Sequence, residues 1–82
     1  MVRMTKQNWY ITCSVDEMLK AYHRGDTVKS LSSRQAYKRI NGQNCIYVED
    51  GNCWDSYDYL SFTLEELSWN WLITFKEEVG EE

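Results

Sequence analysis

The sequence predicts an α+β domain: a small antiparallel sheet with one N-terminal helix and a short helix before the last strand. Three observations carry this. Ser14 stands three residues before Glu17 at the head of a helical pattern, Asn41-Gly42 divides two strand-like runs, and residues 63–75 switch from helical to alternating hydrophobic period.

Taken in order, Trp9, Tyr10 and Ile11 mark a first strand over residues 8–12. Ser14 and Glu17 form a capping box, and Val15, Met18, Leu19 and Tyr22 recur on one helical face. The helix should stop at Gly25, which takes left-handed geometry at little cost. Residues 27–29 suit a short strand. Residues 36–40 and 45–48 flank Asn41-Gly42, the pair a type I′ turn favours because both central residues need positive φ. Asp50-Gly51 signals a second turn, followed by a strand over 52–55. Thr63 and Glu66 form another capping box, so a short helix begins at Leu64. After Ser68 the apolar residues Trp69, Trp71, Ile73 and Phe75 alternate, with Leu72 the one lapse. That is a half-buried closing strand.

At 82 residues the chain has room for one compact domain, 1–82, with an acidic tail expected to fray from about residue 77. A domain of this size buries only roughly 60–65% of its unfolded surface, so self-association is the expected supplement to a modest core. Cys13, Cys45 and Cys53 form no CxxC pair and are odd in number. With no apolar run long enough for a signal peptide or a membrane span, the reading is a reduced, cytoplasmic protein with no membrane partner.

The net charge of −4 argues against direct nucleic-acid binding, whose affinity comes from Lys and Arg on phosphates. The charge is uneven, however. Lys20, Arg24, Lys29, Arg34, Lys38 and Arg39 face one acid, Asp26, in the middle of the chain, and acids dominate from Glu49 onward. The basic stretch suits a small anion.

Catalytic chemistry finds little here. His23 is the only histidine and sits in the last turn of the first helix, where it complements the helix dipole. Cys45 and Cys53 could face each other across a hairpin but read better as small buried hydrophobes. Asp55 with Asp58, and Glu65 with Glu66, are neighbours in sequence only, whereas two-carboxylate catalysis needs opposed groups around a cleft. No catalytic residue, metal ligand or cofactor is assigned. Trp9, Trp69 and Trp71 read as core. Trp54, Tyr57 and Tyr59 stand in the polar run NCWDSYDYLS, where their rings suit stacking on a base or burial against a partner, and Arg34, Tyr37 and Lys38 add cationic and aromatic character nearby.

The run SVDEMLKAYHRGDTVK, residues 14–29, resembles the opening of small phage proteins of the second Thoeris anti-defence family and its relatives, where a helix of the type eALeaLkeGkkV feeds a basic strand. CIYVEDG, residues 45–51, resembles their central strand and turn, and FTLEELSWNWLI, residues 62–73, resembles their closing helix-to-strand element. Leu31 or Ser32 stands where that family often has a tryptophan, and Asn70 where it has an aspartate. The resemblance implies a phage-encoded counter-defence protein, a homo-oligomer in the cytoplasm of an infected bacterium. It would sequester a cyclic nucleotide-type immune signal without cleaving it. On that basis Lys29 and Arg34 are expected on phosphates, and Tyr37, Trp54 and Tyr57 on bases. Two other readings stand beside it. One is an acidic inhibitor of a host defence nuclease, of anti-CRISPR or DNA-mimic type, built on Glu49, Asp50, Asp55, Asp58, Glu65, Glu66 and the terminal glutamates. The other is an oligomeric assembly accessory.

Overall fold

The computed structural model describes residues 2–49 and 51–81, with side-chain surroundings for 6–49 and 51–76. Its elements are β1 (Val2–Thr12), α1 (Val15–Arg24), β2 (Thr27–Ser30), β3 (Ala36–Ile40), β4 (Gln43–Val48), β5 (Cys53–Tyr57), α2 (Leu64–Leu67) and β6 (Trp71–Glu81). The strands form one antiparallel-paired sheet in the order β1-β6-β2-β3-β4-β5. This is the α+β class the sequence predicts. The last strand slots between β1 and β2, and β2 to β5 form a meander.

Local chemistry sets the boundaries. Ser14 caps α1 by accepting the Glu17 amide, and Gly25 ends it at φ 101°, its amide donating to the Ala21 and Tyr22 carbonyls. Asn41 and Gly42 have φ 52° and 78°, as a type I′ turn demands. The Thr63 capping box is complete, with both the side-chain and backbone halves formed. Asp50 of the second turn signal lies outside the described residues.

All the cover lies on one face of the sheet. Tyr10, Ile73, Val28, Tyr37 and Ile46 make a cross-strand row on that face, and α1 seals it with Met18, Ala21 and Tyr22. From the edge strand β5 the chain must return to the middle of the sheet, and it crosses this same face, leaving Leu60 and Phe62 against the core. There Phe62 meets Tyr37 at 5.0 Å and Trp71 at 5.5 Å, both edge to face, a geometry aromatic quadrupoles favour.

Four expectations need correction. Trp9 and Trp69 are not core: they are 64% and 55% exposed, Trp9 because strand alternation turns it away from α1, and Trp69 because β6 begins only at Trp71. Leu19 is also exposed, its place on the buried face of α1 being taken by Ala21. Cys45 is buried as expected, but Cys53 is exposed on the edge strand β5, and the two do not face each other, since Cys45 lies opposite Ser56 and Cys53 opposite Val48. Finally, the tail expected to fray from about residue 77 continues β6, pairing through Glu81 opposite Val2. The other face of the sheet is left without helices.

Candidate functional site on the uncovered face

Strand alternation assigns the uncovered face residue by residue. It takes Gln7, Trp9 and Ile11 from β1, Leu72, Thr74 and Lys76 from β6, and Thr27 and Lys29 from β2. From the meander it takes Ala36, Lys38, Ile40, Gln43, Cys45, Tyr47, Trp54 and Ser56. None of these residues is acidic. Asp55 and the helix residues Asp16, Glu17, Glu65 and Glu66 all belong to the covered side.

One depression of about 570 Å³ opens at the β2–β3–β4 end of this face, lined by Lys29, Arg34, Ala36 and Tyr47, with Ser33, Gln35, Val48 and Glu49 around it. Its floor follows from register. Lys29 pairs with Ala36, and the ladder carried one pair past Tyr37–Ile46 sets Ala36 across from Tyr47. A methyl side chain between a lysine and a tyrosine leaves a hollow. Tyr47 is held upright as one wall: its hydroxyl donates to the Asn52 amide oxygen, and its ring meets Trp54 at 5.2 Å.

Arg34 reaches the rim because the β2–β3 loop is tied down at every step. Ser30, fully buried, accepts the Ser32 and Ser33 amides on its hydroxyl, while the Arg34 amide donates to the Ser30 carbonyl at 2.8 Å. Arg34 itself adopts φ 63°, the left-handed region that costs a side-chain-bearing residue on the order of 1–2 kcal/mol. The loop is latched from below by Glu66. Its carboxylate accepts from Ser33 Oγ at 2.7 Å, from Tyr37 Oη at 2.8 Å and from the Thr63 amide at 2.9 Å. Burial alone would raise the Glu66 pKa. The donors outweigh it and hold the carboxyl below its ordinary value, while burial and the Glu66 charge push the Tyr37 phenol well above its own.

Of the five residues expected at a ligand, Lys29 and Arg34 therefore meet at one depression. Trp54 lies on the same face, behind Tyr47. Tyr37 does not reach it, because its ring is 4% exposed in the core between Phe62 and Trp71. Tyr57 is on the covered side, opposite Asn44, with its ring half exposed at the sheet edge. Tyr47, Ala36 and Gln35 were not singled out from sequence, although the Asn41-Gly42 turn fixes Ile40 opposite Gln43 and counting back from it reaches Ala36 and Tyr47. For the acidic-inhibitor reading, Glu66 drops out as an interface group because it is buried and fully bonded.

Among the described residues no cluster of three or more His, Cys, Asp or Glu side chains is arranged to hold a metal ion, and no helix is long and apolar enough to cross a membrane. Compared with known proteins, the chain matches no protein-family model, no curated protein and no solved structure.

Proposed function

We propose that the protein binds and sequesters a cyclic nucleotide-type immune signal without cleaving it, acting as a phage counter-defence factor in the cytoplasm of an infected bacterium. The observation that carries this reading is the meeting of Lys29 and Arg34 with the Tyr47 ring around one open depression. Its volume, about 570 Å³, lies in the range of small-molecule sites. Two cations suit a phosphate or pyrophosphate, and an aromatic wall suits a base. Gln35 adds an amide that both donates and accepts, as a base edge requires.

Arg34 gives independent support. Glycine would fill a left-handed backbone position without strain, yet this one carries the longest cationic side chain. Strain held in place by surrounding hydrogen bonds is the pattern found where a side chain has a task beyond stability. Self-association belongs to the same proposal, since a shallow depression encloses a ligand better when a second subunit closes over it.

Native mass spectrometry tests this directly, on the protein alone and after mixing with cyclic ADP-ribose isomers and cyclic dinucleotides, followed by heat release and chromatography. An oligomer that gains ligand mass and returns the nucleotide unchanged is the expected result. A protein that takes up none of the panel, or returns a cleaved product, overturns the proposal.

A further inference from the structure

The uncovered face carries more cation than one small ligand uses. A second depression, of about 210 Å³, lies toward the β1–β6 side and is lined by Lys38, Lys76, Thr27, Thr74 and Gln7. Asp26 also borders it, but its carboxylate is taken by Arg24 through Nε at 2.7 Å and Nη2 at 2.6 Å. Beside this depression Trp9 pairs with Thr74 and stands 64% exposed, an indole presented to solvent from the edge strand β1.

The two depressions repeat one arrangement. Lys29, Arg34 and Tyr47 line the first; Lys38 and Lys76 line the second, with Trp9 outside its lining, across from the lining residue Thr74. They adjoin, because Lys29 pairs with Ala36 and Lys38 is two residues further along the same strand, a diagonal of about 7–8 Å across the pair. Across the face, Lys76, Lys29 and Lys38 stand on β6, β2 and β3 between the rings of Trp9 on β1 and Tyr47 on β4, in a chain whose net charge is −4. The described acids at the two depressions are Glu49, at the edge of the first, and Asp26, already paired with Arg24, at the second. Such a partition selects a polyanion with flat, stackable groups.

We infer that the uncovered sheet face binds single-stranded nucleic acid, RNA or DNA, with phosphates on Lys29, Arg34, Lys38 and Lys76 and bases stacked on Trp9 and Tyr47. Sheets that bind single strands work this way: cations follow the backbone and rings accept any base, so affinity depends on salt more than on sequence. The net charge of the chain misleads because Asp16, Glu17, Asp55, Glu65 and Glu66 belong to the helix side and four cations stand on the open one. A duplex is a poor occupant, since its bases are already stacked and offer Trp9 nothing.

Fluorescence anisotropy with short labelled oligo(U), oligo(dT) and a hairpin duplex, over a salt series, tests the inference. Both single strands should bind better than the duplex, and preference for one of them names the natural source. Four phosphate contacts give a slope of log affinity on log salt of about −3, at roughly −0.7 per contact. The Lys38→Ala/Lys76→Ala double variant should lose about 1.4 from that slope, whereas Trp9→Ala should weaken binding and leave the slope unchanged. Absence of binding at low salt, equal binding of the duplex, or variants indistinguishable from the parent would overturn the inference. If Trp9→Ala alters only the oligomer mass, the face is a self-association surface instead. Uptake of a cyclic nucleotide without any oligonucleotide binding overturns this inference and leaves the proposed function standing.

Discussion

On the helix side of the sheet, Val28, Trp71 and Ile73 are fully buried and Tyr37 is nearly so; on the other side, Trp9 and Ile11 are more than half exposed. The same strands supply both. β3 sends Tyr37 into the core and Lys38 to the open face, and β6 sends Ile73 inward and Thr74 outward. The covered face uses the Glu66 latch for closure, with Ser33, Tyr37 and the Thr63 amide all donating to its carboxylate, although Trp71 Nε1 and Arg39 Nε are buried there without a partner among the described residues. The open face leaves its cations toward solvent around two hollows. An alternating strand can therefore carry stability and recognition on adjacent residues, and substitutions should separate the two.

The largest separation is expected between two tryptophans. Trp71→Ala removes a fully buried ring and should cost about 3–5 kcal/mol in denaturant unfolding, enough to leave little folded protein. Trp9→Ala should change stability by less than about 0.5 kcal/mol. Equal losses at the two positions would break the comparison, by showing that the open face is packed against something in solution.

Next comes the latch. Glu66→Gln keeps the shape but removes the charge that Ser33 and Tyr37 bond, and should cost about 2–3 kcal/mol by chemical denaturation. The sign of its pH dependence follows from the lowered pKa. A carboxyl depressed in the folded state contributes fully above its unfolded value and loses that contribution as pH falls through the folded one. The parent should accordingly lose stability below about pH 4, and the Gln variant should show a flatter acid limb. Parallel acid limbs would mean that the latch does not titrate with folding.

Smaller in stability but larger in consequence is Arg34→Gly. Relieving the left-handed backbone should leave stability unchanged or raise it by up to about 1 kcal/mol. Ligand affinity should fall about tenfold, near the loss of one charge-assisted contact. Lys29→Ala should reproduce the affinity loss without the gain in stability. If Arg34→Gly binds as well as the parent, the strained arginine has no part in recognition. Ser14→Ala should cost about 1 kcal/mol in stability from the lost cap of α1, with no change in ligand affinity.

Much of the fold was legible because local signals act over a few residues. Ser14, Gly25, Asn41-Gly42 and Thr63 each fix a boundary through their own backbone preferences. The tertiary placement was less so. Alternation says that Trp9 and Tyr10 point opposite ways, but only the position of α1 decides which is covered. Tyr37 illustrates the same limit: a tyrosine between Ala36 and Lys38 reads as a surface ring until Phe62 and Trp71 close over it. The extension of β6 to Glu81 was hidden because residues 77–81 lack an apolar alternation, and the pairing rests on backbone bonds to β1. For the site, Lys29 and Arg34 were readable from the basic stretch. Tyr47 and Ala36 needed the hairpin register, which the Asn41-Gly42 turn already contained.

The central claim is that recognition belongs to the uncovered face and stability to the covered one. A ¹⁵N-resolved NMR titration with the cyclic nucleotide that native mass spectrometry identifies addresses both halves at once. The account predicts amide shifts concentrated at residues 27–29, 34–38 and 47–49, with those of Met18, Ala21 and Ile73 nearly still. Shifts centred on Asp55, Tyr57 and the helices would contradict it, and would move the binding site to the face assigned here to folding.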